Sequence, residues 1–432
     1  MASTISDRGG SVAGLKVRMI QTGTDNEYSR GLAEANSHRL ITPMLAIPYL
    51  AAVTLAGVDL EVIDEQNGLM DDQGSPDLVA ISGMTMHANR MYALADAYRE
   101  RGIPVVLGGV HVSFMLDEAR KHADAVAIGE AEFLWPRMLD DFARGKLEPV
   151  YSSTEPVDLS LIPRPRLDLV DGPAYRGRMG SLNALMATRG CPHDCDFCCV
   201  KKMFGRNFRT RPLDSVMDEL GAMDESFVLF ADDNIIGNPG YARQLFQRLK
   251  PLGRSWGAQA SIQLAENQEL LDLAVDAGLK SVFLGIESVD PENLVTMRKA
   301  GVNNASHYAE NLKRLHDKGV MVFGSFIVGL DHDDESVFEN VYEFIMRNGI
   351  DFPLVNVLTP FPGTDLYQAM EASGRIVDRN WDRYNLTQAV FTPARMSADE
   401  LQFGYDSLIR ELNRHAFRGN PAERQRLSVD AF

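Results

Sequence analysis

The stretch Cys191-Pro-His-Asp-Cys195-Asp-Phe-Cys198, directly after Asn183-Ala-Leu-Met-Ala-Thr-Arg-Gly190, constrains this chain more than any other feature. Three thiolates spaced Cys-x3-Cys-x2-Cys suit three irons of a [4Fe–4S] cluster and leave the fourth iron open to another ligand. A cluster with four cysteine ligands is coordinatively finished and passes electrons. Four cysteines occur in the chain, Cys191, Cys195, Cys198 and Cys199, all within nine positions. A disulfide framework spreads its cysteines, and a structural zinc site draws on separated pairs or on histidines. His193 lies inside the loop, so a Cys3His zinc knot is the rival reading. Adjacent side chains diverge, which keeps Cys198 and Cys199 off the same cluster. Cys199 reads as a small packed residue.

Length and charge narrow the class. A chain of 432 residues predicts two or three domains with ample core. A net charge of −17 with no basic block argues against nucleic acid held through its phosphates. The longest apolar stretch, Met44 to Gly57, follows Pro43, contains Pro48 and is too short to span a bilayer. It predicts a buried helix stopped by Gly57. The N-terminal stretch Met1 to Gly10 lacks a cationic and apolar secretion signal. Together with exposed iron–sulfur chemistry, this predicts a cytoplasmic protein.

Apolar periodicity predicts α/β architecture in two blocks. Residues 15–150 alternate short apolar strands with helices, which predicts a doubly wound parallel sheet. Five strands are expected, at Val17, Leu60–Asp64, Leu78–Gly83, Val105–Gly109 and Ala125–Gly129. Such sheets bind ligands beyond the carboxyl ends of their strands. Those ends carry Thr22-Gly23, Ser82-Gly83-Met84-Thr85, Gly108-Gly109-Val110-His111 and Gly129-Glu130. Residues 151–180 are rich in Pro and Asp and predict a linker. Residues 181–375 hold six further strand–helix units, with the cysteine loop after the first strand, Leu182–Thr188. That order predicts a partial (β/α)6 barrel whose active residues sit at the strands' carboxyl ends. Residues 376–432 predict a small helical cap, with residues 1–14 and the stretch after Arg418 mobile.

The cysteine spacing, with Phe197 before the last thiol, resembles the radical S-adenosylmethionine superfamily. The N-terminal block resembles the cobalamin-binding domain of its B12-binding subfamily. Val106-Leu-Gly-Gly-Val-His-Val-Ser113 and Ala125-Val-Ala-Ile-Gly-Glu-Ala-Glu132 carry that likeness. The resemblance implies three cofactors: a [4Fe–4S] cluster on Cys191, Cys195 and Cys198, S-adenosylmethionine on its open iron, and cobalamin. It implies that Asp232 or Asp233 receives the methionine amine, and that Glu287 and Ser288 hold ribose or carboxylate. Gly324 and Gly329 would then pass beside the adenine. The plainer reading of the two aspartates is a capped turn, and of the glycines close strand packing. For cobalamin the resemblance implies Ser82, Gly83, Thr85, Gly108, Gly109, Val110, His111, Gly129 and Glu130. One departure stands out. The subfamily's cobalt-ligating Asp-x-His-x-x-Gly is replaced by Asp64-Glu65-Gln66-Asn67-Gly68-Leu69, so no imidazole from this loop reaches cobalt.

The combined expectation is methylation of an unactivated carbon in a small-molecule, lipid or peptide substrate. A flavodoxin or ferredoxin would supply the electron. Oxidative cyclisation without methylation remains an alternative, as does a non-catalytic cobalamin- or redox-responsive protein. Methylthio transfer calls for extra N-terminal cysteines, and none precedes Cys191.

Overall fold

The computed structural model describes residues 11–23, 43–68, 74–172, 175, 183–205, 207–223 and 227–418. The expectations for residues 1–10, for part of the 151–180 linker and for residues 419–432 lie outside the described residues. Two compact units are present, Met1–Leu182 with Met203–Gly205, and Asn183–Lys202 with Arg206–Phe432.

The first unit is built on six parallel strands: β1 (Lys16–Gln21), β2 (Asp59–Asp64), β3 (Leu78–Ser82), β4 (Val105–Gly108), β5 (Ala125–Ile128) and β6 (Val150–Ser152). Their order is β2-β1-β3-β4-β5-β6. Every residue of β3 is buried, as are Val17 to Gln21 of β1. Parallel strands covered on both faces read as mostly apolar runs, and β1 fits Arg18 into its buried stretch by bonding it to Glu61 and Tyr98. Helix Leu134–Ala143 closes one face, packing Trp135, Met138, Leu139 and Phe142 with Val17, Met19, Ala80 and Val106. Each such side chain contributes roughly 1.5–3 kcal/mol on burial. The strand order reverses between β1 and β3, which makes the crevice beyond their carboxyl ends the ligand position.

Two expectations are corrected here. A sixth strand exists, three residues long at the sheet edge, too short to show a pattern. The helix expected to run to Gly57 is Ala46–Ala52. Thr54 Oγ1 donates to Leu50 O and accepts from Trp135 Nε1, each at 2.9 Å, so a tertiary contact sets the exit. Gly57, at φ +90°, serves the turn into β2 instead.

The second unit carries β7 (Ala184–Leu185), β8 (Thr188–Arg189), β9 (Arg209–Thr210), β10 (Phe227–Phe230), β11 (Ser255–Ala260), β12 (Leu279–Glu287), β13 (Met321–Val328) and β14 (Phe352–Val357). Six of them form one parallel sheet in chain order, β7-β10-β11-β12-β13-β14, the partial (β/α)6 arrangement. Helices Leu213–Gly221, Pro239–Leu249, Gln268–Asp276, Tyr308–Asp317 and Val337–Asn348 alternate with the strands. Gly349 ends the last of these in the left-handed conformation, at φ +62°. The single strand expected at 182–188 is instead two short ones, because β8 leaves the sheet to pair antiparallel with β9.

Candidate functional site

The carboxyl ends of β7 to β14 can be assembled residue by residue. Gly190, at φ +90°, turns the chain out of β8 and opens the cysteine loop. Two aspartates after β10 hold that turn. Asp232 accepts hydrogen bonds from Ala187 N at 3.2 Å and from the amide and hydroxyl of Thr188. Asp233 accepts from Gly190 N at 3.0 Å. Burial pushes the Asp232 carboxyl up to about 7. Asp232 and Asp233, one or the other of which is expected to receive the methionine amine, both accept hydrogen bonds from the backbone leading into the cysteine loop.

The four cysteines are half-buried and unbonded to one another. Burial raises all four thiols, Cys195 to about 11 against the pull of Lys299. Hydrogen bonds favouring the thiolate come from the His193 amide and the Asn234 side chain to Cys191, and from the Val200 amide to Cys198. Such donors and the loop wrapped around them suit a cluster, whose binding releases the thiol protons. Among the described residues, no three His, Cys, Asp or Glu side chains gather around a single-ion position.

Glu287 ends β12 in an unusual conformation. Its φ is +62°, and the register with β13 slips between Gly285 and Glu287. Asn303 Nδ2 donates to Gly285 O at 2.8 Å and Ile286 O at 2.9 Å, and Tyr308 OH donates to Ile286 O at 3.1 Å. A non-glycine left-handed residue persists only when its surroundings enforce it, and such residues concentrate at functional sites. The Glu287 carboxylate pairs with Lys299 Nζ, and both side chains are buried. Ser288 Oγ accepts from Asp290 N at 3.1 Å and from Asn293 Nδ2 at 3.5 Å, which engages it as a cap. Asn293 also donates to Asp333 at 2.7 Å, and Asp333 accepts from Gly329 N and Leu330 N, each at 2.9 Å. The ends of β12 and β13 are therefore locked together. Asn293, Asp333, Lys299 and Asn303 were not singled out from the sequence, where nothing local marks them.

The β13 glycines serve packing. A Cβ at Gly324 would meet Ile350 Cγ2 at 3.0 Å and Ile286 Cδ1 at 3.3 Å. At Gly329, φ +93°, it would meet Leu401 Cδ2 at 2.7 Å and Phe391 Cζ at 3.3 Å. Phe197 lies 6.0 Å from Lys299 Nζ, ring centroid to nitrogen.

The first unit's strand ends can be read in the same way. Gly83 is closely packed, with Met91 Sδ 2.7 Å from where its Cβ would sit. Gly109, φ +100°, lets its loop approach Gly83 O, which a Cβ would meet at 2.7 Å. Ser82 O accepts from Thr22 N and Oγ1, each at 3.0 Å. Thr85 is buried in a short 3-10 turn, and Val110 opens helix Val110–Phe114. His111 lies fully buried with Nε2 3.1 Å from Tyr92 OH, and burial lowers its ring to about 4. Its ring packs inside the fold. Gly108 has room, with Ala127 Cβ at 3.8 Å from a Cβ placed there. Gly129, φ +79°, faces open space, and its amide is held by Ser113 Oγ at 2.9 Å. Glu130 accepts from Val157 N at 3.2 Å.

The β2 loop is knitted into the unit except at one atom. Asp64 bonds Tyr175 OH, Glu65 pairs with Arg90 at 2.6 Å, and Asn67 donates to Val170 O at 3.0 Å. Gln66 Nε2 is buried with no hydrogen-bond partner among the described residues. A buried donor so placed costs roughly 1–3 kcal/mol. Gln66 follows β2 at the carboxyl end of the sheet, the end where sheets of this kind bind ligands.

The comparisons agree with this arrangement. Residues 185–345 match the Radical SAM superfamily, and residues 40–135 match the B12 binding domain. Bacteriochlorophyllide d C-12(1)-methyltransferase of Chlorobaculum tepidum is 33% identical over 378 residues, covering 85% of this chain and 82% of that protein. Bacteriochlorophyllide d C-8(2)-methyltransferase of the same organism is 28% identical, covering 84% and 83%. The structure of the radical S-adenosylmethionine methyltransferase TsrM from Kitasatospora setae, with cobalamin and [4Fe–4S] cluster bound, superposes with a TM-score of 0.63 at 16% identity. It covers 90% of this chain and 84% of its own, and shows the shared fold. The chain belongs to the radical S-adenosylmethionine enzymes that carry a B12-binding domain. It is of their methyltransferase class, with a [4Fe–4S] cluster, S-adenosylmethionine and cobalamin as cofactors.

Proposed function

We propose that this enzyme methylates an unactivated carbon of a tetrapyrrole-type small molecule. The observation that carries the reaction class is one chain holding both a three-thiol loop at a barrel mouth and a corrinoid-type sheet without a loop imidazole. The tetrapyrrole class is supported by the two relatives named for bacteriochlorophyllide d. When bound, the cluster and S-adenosylmethionine supply a hydrogen-abstracting radical, and cobalamin supplies the methyl group.

The protein's own residues position these groups. Cys191, Cys195 and Cys198 hold the cluster, and Cys199 does not. Asp232 and Asp233 fix the backbone from which that loop springs. Glu287 and the locked ends of β12 and β13 present the wall beside the open iron. Residues 15–150 hold the corrinoid, 181–375 the cluster and S-adenosylmethionine, and 376–432 cap the barrel. Holding reactants in fixed geometry is the protein's main contribution to such chemistry. The electron comes from a flavodoxin or ferredoxin, in the cytoplasm. No described helix is long and apolar enough to cross a membrane.

The test uses anaerobically reconstituted enzyme with hydroxocobalamin, dithionite, bacteriochlorophyllide d and S-adenosylmethionine deuterated at its methyl group. Expected products are 5′-deoxyadenosine and a pigment heavier by one labelled methyl group. Formation of 5′-deoxyadenosine with a pigment that loses hydrogen and gains no label would move the reading to oxidative cyclisation.

A further inference from the structure

A buried cation stands beside the cysteine loop. Arg298, at φ +58°, turns the chain after helix Pro291–Thr296 and directs Lys299 inward. The Lys299 backbone is held at both ends, its amide donating to Leu294 O at 2.8 Å and its carbonyl accepting from Asn303 N at 2.9 Å. Its side chain is only 11% exposed. The ammonium pairs with Glu287 and stands 6.0 Å from the ring centroid of Phe197, the residue preceding Cys198. It interacts electrostatically with both Cys195 and Cys198. Asp196 N donates to Met297 O at 3.4 Å, which ties the cysteine loop to the lysine's own segment. A Cβ at Gly285 would stand 2.7 Å from Lys299 Nζ, so a glycine there leaves room for the ammonium.

A buried lysine without a counter-charge tends to lose its proton. Glu287 supplies that counter-charge, and the enforced left-handed bulge at the end of β12 aims it. A clamp between two loops needs no cation beside thiols. Reduction adds one negative charge to a cluster, and net charge near it is one of the protein's levers on potential. At low local dielectric a fixed charge this close is felt strongly.

We infer that Lys299 is a positioning residue that sets how readily the cluster accepts its electron, and that Glu287 holds it in place and partly offsets its charge. This rests on the assignment of Cys191, Cys195 and Cys198 as cluster ligands.

The experiment is a redox titration of the full-length, anaerobically reconstituted protein, followed by electron paramagnetic resonance of the reduced cluster. Iron and sulfide content are measured first. Lys299→Met is expected to disfavour reduction about tenfold, or about 59 mV for one electron. Lys299→Arg should return most of that shift. Glu287→Gln, titrated below pH 7 so that the lysine without its counter-charge keeps its proton, should move the midpoint the other way. Because Glu287→Gln keeps the shape of the site, it decides the matter even if Lys299→Met loses its cluster. Midpoints equal to wild type in cluster-replete Lys299→Met or Glu287→Gln would overturn the inference while leaving the ligand assignment intact. A wild-type protein that assembles no [4Fe–4S] cluster would overturn the ligand assignment itself.

Discussion

At the scale of the residue, the four thiols are distinguishable by experiment. Alanine in place of Cys191, Cys195 or Cys198 should remove most of the iron and all cleavage of S-adenosylmethionine. Cys199→Ala should keep both, and iron lost from that variant alone would reassign the ligands. Gln66 offers a second test. Its buried Nε2 lacks a partner, so Gln66→Leu should raise the melting temperature of the cobalamin-free protein. It should weaken hydroxocobalamin binding three- to tenfold, the worth of one net hydrogen bond of about 0.5–1.5 kcal/mol. Equal affinity by dialysis would remove Gln66 from the site. His111 gives a pH signature. Burial lowers its ring from the ordinary 6.5 to about 4, so between those values the unfolded chain binds the extra proton. Stability should be full above pH 6.5 and decline as pH falls toward 4, by about 1.4 kcal/mol per pH unit. His111→Leu should remove this ring's share of that slope from a melting-temperature profile, leaving the share of His87, which burial also lowers to about 4; an unchanged slope would place the titration elsewhere.

Among the elements, the strand-end glycines separate into two kinds. Gly109 holds φ +100°, and a side chain there would run into the backbone of Gly83. The obstacle is a peptide group, which cannot swing aside. Gly109→Ala should therefore destabilise the protein even without any cofactor, by roughly 1–3 kcal/mol, read as a lower melting temperature of the apo form. A variant of wild-type apo stability that fails only to bind cobalamin would instead make Gly109 a pure contact residue. Gly129 is of the other kind, with open space where its Cβ would be. Gly324 on β13 and Gly329 just after it make room for Ile350 and Leu401.

The whole molecule consists of two compact units with separate sheets. Ligand linkage gives the test at this scale. A ligand at a hundred times its dissociation constant stabilises the state that binds it by about 2.7 kcal/mol. Hydroxocobalamin at that excess should raise the melting temperature of the cofactor-free protein. No shift at any concentration would leave the first unit without its corrinoid. The net charge of −17 should favour solubility and leave nucleic acid unbound at physiological salt.

The sequence by itself determined what is local. Three cysteines in one loop can be read as a ligand set because a single short segment wraps the cluster, so spacing alone carries the geometry. The parallel sheets were legible for a similar reason: strands buried on two faces are mostly apolar, as Leu78–Ser82 is, although β1 also buries Arg18 and Gln21. The replacement of the cobalt-ligating histidine by Gln66 was also visible as a departure at one position. What the sequence left open depended on partners far along the chain. For Asp232 and Asp233 the sequence allows either a hold on an amine or a turn, and the hydrogen bonds that Asp232 accepts from the amides of Ala187 and Thr188 depend on the placement of β8. For Gly329 the sequence allows both an approach to adenine and close packing, and the contact with Leu401 of helix Ala398–Arg418 is set by the tertiary structure. His111 sits in a glycine-rich strand end, but the first turn of its helix points it inward to Tyr92. Lys299 carries no local signal at all, and its meaning comes from the enforced bulge at Glu287 and the thiols beside it. Hydrogen bonds and ion pairs are chosen by proximity in three dimensions, so only the tertiary structure decided which polar residues were free for chemistry and which were already engaged in holding the fold.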